Sequence, residues 1–340
     1  MRWFRWVLLC LALIVVIGGG VAAWGIHDVT APLNGSTEPF TFVVASGERT
    51  QAITDRLASA GVIRSAWWVN VYLRVTHGAL LPGTYTLSRA GGPISNIEPL
   101  TTGAVTERRV TIPEGLRVNE VAALLEKNQV ISASDFLAAA RYNPGLVALP
   151  SQYDLKSDTF LEGFLFPDTY DFPAAATAND VLTRMLQNYI TRTADLSPTY
   201  DQLIVASIVE REAKFDEDRA GVASVYFNRV NAGMPLQSNP TVAYAAANAK
   251  CGATSFQACV QDVWWPALST SDFSLDSPYN TYVAPGLPPR PISNPGLASI
   301  TAAVHPATTN YFYFITDKSG HAHFATTLAE HNANVAKYLN

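Results

Sequence analysis

The chain has no run of lysine and arginine, and its 23 basic residues are outnumbered by 28 acidic ones, for a formal charge of -5. Such a surface gives a phosphate backbone nothing to hold, so nucleic acid is excluded as a partner. GxGxxG, GxxxxGK followed by Ser or Thr, and HExxH are all missing. Dinucleotide, triphosphate and zinc-protease readings therefore lack their minimum parts. Charged residues are few, at 15%, against 48% hydrophobic residues. That balance excludes disorder of the whole chain, and 340 residues can bury more than one core.

Cysteine is scarce. Cys10 sits in an N-terminal apolar run, while Cys251 and Cys259 lie close together in a loop-like stretch. In an oxidising compartment the latter two are expected to form a local disulfide, with free thiols as the alternative, since spacing alone does not fix bonding. His321, His323 and His331 gather near the C-terminus without a Cys or acidic partner at ligand spacing. Neither a metal nor a cofactor is expected.

Long runs that are both apolar and uncharged are also absent, with one exception: Trp6 to Ile26 carries no charge. At about 1.5 Å per residue it spans a hydrocarbon core of roughly 30 Å. Arg2 and Arg5 precede it, no Lys or Arg follows until Arg49, and Trp3, Trp6 and Trp24 mark its ends. The reading is a single transmembrane helix with the N-terminus inside. A cleaved signal peptide ending near Val21-Ala22-Ala23 is the competing reading, disfavoured because the run is longer than a usual signal core.

Past this segment the chain repeats itself at an offset of 68 residues: Gly47 matches Gly115, Ile53 Val121, Leu57 Leu125, Val62 Val130, Ile63 Ile131 and Trp68 Phe136. Each copy reads as a short strand, a Gly turn, an amphipathic helix and a second helical start at Ser65 or Ser132. The first copy continues through a strand at LPGTYTLS, so 39–105 closes as a βααβ unit. The second leads into EGFLFPDTYDF, where a turn at Pro167-Asp168 either presents Phe166 and Tyr170 to a cleft or lets them pack in the core. The C-terminal block reads as strand, Lys-Ser-Gly turn, strand and helix.

The stretch Tyr200 to Lys214 has no internal Gly or Pro and reads as a helix. At about 100° per residue, with Ile208 at zero, Ile204 falls near 320°, Val205 near 60° and Val209 near 100°. Glu212 lands between them at roughly 40°, whereas Glu210 falls near 200° on a face with less branched apolar bulk. A carboxyl held against aliphatic side chains keeps its proton to higher pH, as a general acid requires. The plainer alternative is that Glu212 pairs with an arginine in the core.

Downstream, residues 222–245 begin as an amphipathic helix, and 277–307 form a long irregular segment dense in Pro, Gly, Asn and Tyr. Tyr279, Tyr282, Asn280 and Asn294 offer aromatic faces and amides suited to sugar rings. Here the sequence resembles the endolytic murein transglycosylases, the YceG-like family. The resemblance covers nearly the whole chain and rests on ASIVEREA, SVYFNRVNAGMPLQSNPTV, YNTY with GLPPRPISNPG, AAVHPA and FYFITDKSGHAHFATTLAEHN. The segment Asn248 to Trp265 departs from it. The family's catalytic glutamate matches Glu212.

The resemblance implies peptidoglycan glycan strands as substrate and an association with peptidoglycan synthases at the inner membrane, with the catalytic domain in the periplasm. Glu212 would act alone, first as acid on the bond between N-acetylmuramic acid and N-acetylglucosamine, then as base on the C6 hydroxyl, leaving 1,6-anhydro ends. Asn228, Gln237, Ser238, Thr241, Tyr279 and Asn280 are the candidates for orienting the sugar. Asp216, Glu217 and Asp218 read as a solvated helix start, and Glu162 and Asp168 as alternative second carboxylates. Arg229 and Arg290 are read as holding peptide-stem carboxylates or pairing with acids. A muramidase using water, or a murein-binding scaffold without activity, are the alternatives. The fold class expected is α+β: a cytoplasmic stretch at 1–5, a transmembrane helix at 6–26, a linker at 27–38, a LysM-like βααβ module at 39–105 and a mixed catalytic domain at 106–340.

Overall fold

A computed structural model describes residues 2–45, 47–103, 107–157, 159–173, 176–251 and 264–339. Cys259 and the side chain of Cys251 lie outside what it describes, and so does the disulfide expected between them. The fold is mixed α+β and divides into two compact units, Met1–Arg108 with Pro173–Ala175, and Arg109–Phe172 with Ala176–Asn340.

The first unit opens with α1 (Arg2–Thr30), which continues past Ile26. Its segment Leu13–Thr30 is long and apolar enough to cross a membrane, judged by length and composition. Then come β1 (Pro39–Val44), α2 (Thr50–Ser59), α3 (Ala66–Val75), β2 (Gly83–Ser88) and α4 (Pro93–Thr102). The two strands pair antiparallel with Phe42 opposite Tyr85. Ile53 and Leu57 of α2 and Val69 and Leu73 of α3 share one core with Tyr85 and Leu87 of β2. The βααβ order follows the sequence pattern, with α4 added behind it.

The second unit begins by repeating that order: β3 (Glu107–Thr111), α5 (Val118–Lys127), α6 (Ala133–Ala139) and, after an insertion, β4 (Thr169–Pro173), which pairs with β3. The turn glycines match in conformation, Gly47 at φ +77° and Gly115 at φ +75°, a region that disfavours any side chain. Matched positions share a fate as well: Ile53 and Val121, and Leu57 and Leu125, are all buried. Phe166 and Tyr170 are buried in the core rather than presented to a cleft, and the Tyr170 hydroxyl donates to the Phe166 carbonyl at 2.6 Å.

The remainder consists of α7 (Ala178–Thr193), α8 (Tyr200–Glu212), α9 (Asp216–Asn231), α10 (Asn239–Cys251), α11 (Leu297–Val304), the antiparallel hairpin β5 (Tyr313–Thr316) and β6 (Ala322–Ala325), and α12 (Leu328–Tyr338). Helices α9, α10 and α11 all pack on α8. As a result α8 buries every residue from Leu203 to Val209, and the single apolar stripe expected from periodicity is instead a helix enclosed on nearly all sides. The segment between α10 and α11 turns inward, with Asn280, Thr281, Ile292, Ser293 and Asn294 almost fully buried.

Candidate active site

Helix α8 starts on a reciprocal cap. Thr199 Oγ1 accepts from the Gln202 amide at 3.2 Å, and Gln202 Oε1 accepts from the Thr199 amide at 2.8 Å. It stops at Glu212, because Ala213 turns extended at φ -92°, ψ 119°. The two glutamates near this end have different partners. Glu210, with a side chain 6% exposed, lies 3.5 Å from Arg219 and accepts the Gly296 amide at 3.0 Å. The buried arginine pair considered for Glu212 thus belongs to Glu210, and partners rather than helical face separate the two.

Glu212 Oε1 accepts two hydroxyls, from Ser238 at 2.8 Å and Tyr226 at 3.0 Å. Oε2 has no hydrogen-bond partner among the described residues. Burial pushes the Glu212 carboxyl upward, against the lowering effect of the two hydroxyl bonds. The negative end of the α8 dipole acts in the same direction as burial. A protonated Glu212 would hold its proton on Oε2, since Oε1 is already occupied as an acceptor.

This carboxyl opens into a cleft of about 450 Å³ walled by Tyr226, Arg229, Gln237, Tyr282, Tyr313 and His331, among others. Among the described residues lining it, Glu212 is the only carboxylate.

Ser238 is held by a ring of hydroxyls. Its amide donates to Thr281 Oγ1 at 3.0 Å, Thr281 and Thr241 hydroxyls meet at 2.7 Å, and Thr241 Oγ1 donates to the Ser238 carbonyl at 2.7 Å. Gln237 precedes it at φ +53°, a conformation that costs a non-glycine residue and is often found where function requires it. Its amide donates to the Thr281 carbonyl at 3.1 Å, which fixes that conformation.

The other candidates lie farther back. Asn228 Nδ2 donates to the carbonyls of Thr309 and Tyr311. Asn280 Nδ2 donates to the Leu275 carbonyl at 2.9 Å, and its Oδ1 accepts the Tyr282 amide at 3.1 Å. Tyr279 packs on Tyr244 at 4.7 Å between ring centres. Arg229 pairs with no acid among the described residues: Nε donates to the Phe312 carbonyl at 2.6 Å and Nη1 to that of Leu236 at 2.8 Å.

Three acidic readings change. Asp218 is buried and accepts the Ala322 amide at 2.9 Å, so only Asp216 and Glu217 form the solvated start of α9. Asp168 pairs with Arg192 at 2.7 Å. Glu162 is buried, accepts the Val118 amide at 2.8 Å, and is not among the cleft-lining residues. The histidines go to separate partners: His323 Nε2 meets Asp317 at 2.8 Å, an acid that spacing did not reveal, His321 stacks on Phe215, and His331 faces the cleft.

Tyr226, Thr281 and Asn239 escape assignment to the site from sequence, whereas Tyr282, read there as suited to a sugar ring, lines the cleft. Tyr226 reads as one more apolar position of α9, and Thr281 is hidden inside YNTY; block membership was the only available signal for either.

Burial pushes Glu162 up to about 7, partly offset by the Arg117 cation. Its folded value therefore exceeds that of the unfolded chain, near 4.5. Between those values the folded state binds more protons, so stability falls as pH rises and has lost about 3 kcal/mol above pH 7. Glu162→Gln should flatten this slope, as thermal melts at pH 5 and pH 8 would reveal.

Comparison with known proteins agrees with this architecture. The YceG-like family model matches residues 42–337. The chain belongs to the YceG-like family. It is similar to an endolytic murein transglycosylase of Bacillus subtilis, 31% identical over 87% of this chain and 84% of that protein. A Streptococcus pneumoniae protein of the same description is 29% identical over 95% of this chain and 63% of its own length. A crystal structure of a yceG-like protein from Listeria monocytogenes superposes with a TM-score of 0.55 at 30% identity, over 88% of this chain and 99% of that one.

Proposed function

We propose that this YceG-like protein is a membrane-anchored endolytic peptidoglycan lytic transglycosylase with Glu212 as its single acid and base. The observation that carries the reading is a partly desolvated carboxyl with one oxygen saturated by two hydroxyls and the other free, in a cleft with no second carboxylate among its described lining. Hydrolysis by the usual route needs two carboxylates. One suffices when the substrate supplies the nucleophile. Glu212 Oε2 gives its proton to the glycosidic oxygen between N-acetylmuramic acid and N-acetylglucosamine as that bond breaks. The same oxygen then takes the proton from the C6 hydroxyl as it closes onto C1, leaving a 1,6-anhydro end. Tyr282, Tyr313 and Gln237 are placed to meet the sugar, while Ser238, backed by Thr241, sets the acidity of Glu212. Asn228, Tyr279 and Asn280 shape the walls.

In this reading α1 is a single inner-membrane span with the N-terminus in the cytoplasm, and the rest acts in the periplasm beside peptidoglycan synthases. Residues 39–105 serve as a LysM-like glycan-binding module. The support is the βααβ order and a groove of about 580 Å³ lined by Gln51, Asn70, Arg74 and His77. Mass spectrometry of purified murein digested by the full chain tests the chemistry. Anhydro ends are expected, and reducing ends would point to a muramidase.

The acid must be protonated to work, so activity declines as pH rises through the Glu212 pKa. Ser238→Ala removes a bond that favours the charged form. It should shift the alkaline limb of kcat/KM upward by up to about one pH unit, the equivalent of one hydrogen bond. A downward shift would mean that Ser238 acts on the substrate rather than on Glu212.

A further inference from the structure

The outer end of α1 is built into the module that follows it. Gly25, Asp28 and Val29 are buried, whereas Trp24 and Ile26, between and beside them, are exposed. A side chain at position 25 would overlap the ring of Trp68, so glycine is what lets the helix approach α3. Arg64 closes the join: Nη1 donates to the carbonyls of Asp28 at 3.1 Å and Ala31 at 3.0 Å, and Nη2 to that of Pro32. These bonds satisfy carbonyls that a helix end otherwise leaves to water.

Three tryptophans meet at this join. Trp24 stands edge-on to Trp68 at 5.9 Å, and Trp67 edge-on to Trp68 at 4.5 Å. The middle ring is packed, but Trp24 and Trp67 are each 62% exposed. Five of the seven tryptophans lie in the first 68 residues, an uneven placement that core packing of the second unit cannot explain.

We propose that the end of α1 and helix α3 form a rigid collar lying in the membrane interface, with Trp67 seated among lipid headgroups. This rests on the anchoring role proposed for α1. The partner is a lipid surface because the exposed apolar face is continuous: Val15, Val16 and Ile17 of α1 are exposed, as are Val21, Trp24 and Ile26 toward its end, and Trp67 carries the face onto the module. Tryptophan favours this zone because its ring is apolar and its indole N–H is not. The collar holds the module at a set height above the hydrocarbon, with no flexible tether between them.

The test places a photoreactive benzophenone amino acid at position 67 or position 15 of the full chain, in vesicles of phosphatidylethanolamine and phosphatidylglycerol. Lipid adducts are expected at both positions. Adducts at 15 with none at 67 overturn the collar and leave the anchor standing, whereas none at 15 overturns the anchor and the collar with it. Gly25→Leu separates the join from mere proximity: it should abolish adducts at 67 and keep those at 15. Undiminished adducts at 67 in that variant would show that the Gly25 contact does not place Trp67.

Discussion

Glu212→Gln should lose at least about 10²- to 10⁴-fold in kcat, the range expected from removing a general acid, while its melting temperature stays near that of the parent. The amide keeps the side-chain volume and can still accept from Ser238 and Tyr226 at the position of Oε1. What it cannot do is release and recover a proton at Oε2, and in the proposed route that group acts twice. Glu210→Gln supplies the contrast. It removes the charge that faces Arg219, a side chain 9% exposed, which keeps Asp216 Oδ1 at 2.9 Å and Ser299. Because Arg219 keeps these partners, the expected cost is that of one charge-assisted bond, about 1.5 to 3 kcal/mol of stability, with kcat largely preserved. Rates on defined glycan strands, together with thermal melts, check both variants. Equal loss of kcat from the two would remove the distinction drawn between hydroxyl-bonded and arginine-paired glutamates.

Asn294→Ala should destabilise the second unit strongly. Asn294 Oδ1 accepts the amides of Gly163 at 2.9 Å and Leu165 at 3.0 Å, and Nδ2 donates to the Leu116 carbonyl at 2.9 Å. All of this is buried, Asn294 itself being 1% exposed. Truncation leaves two amides without partners, each costing about 1 to 3 kcal/mol, while the Leu116 carbonyl keeps the Asn294 backbone amide at 2.8 Å. A total near 4 kcal/mol corresponds to a fall of roughly 10 °C in melting temperature for a unit of this size. Gly163 cannot relieve it: it sits at φ +93°, where an added Cβ would meet Pro291 at 2.6 Å. A fall of only a degree or two in calorimetry would mean that water replaces the amide.

The sequence made some of this legible for definite reasons. The stretch from Tyr200, free of Gly and Pro, marks α8, and the 68-residue repeat exposes two βααβ orders because packing positions recur even where residue types drift. The hydroxyl ring around Ser238 was not legible. It joins residues about forty positions apart and depends on the left-handed turn at Gln237, which periodicity does not encode. The asparagines show a related limit. Amides suited to sugars are equally suited to folding a loop into the interior, and Asn228, Asn280 and Asn294 spend theirs on backbone groups.

The unequal treatment of the two Glu212 oxygens has a practical consequence. In the glutamine variant the carbonyl must face Ser238 and Tyr226, because an amide nitrogen there would set donor against donor. The NH2 then projects into the cleft where the proton would have been. It can donate to a glycosidic oxygen without cleaving the bond, so the inactive variant becomes a trap that retains intact strands, and the bound glycan's length and ring conformation can be read from the complex.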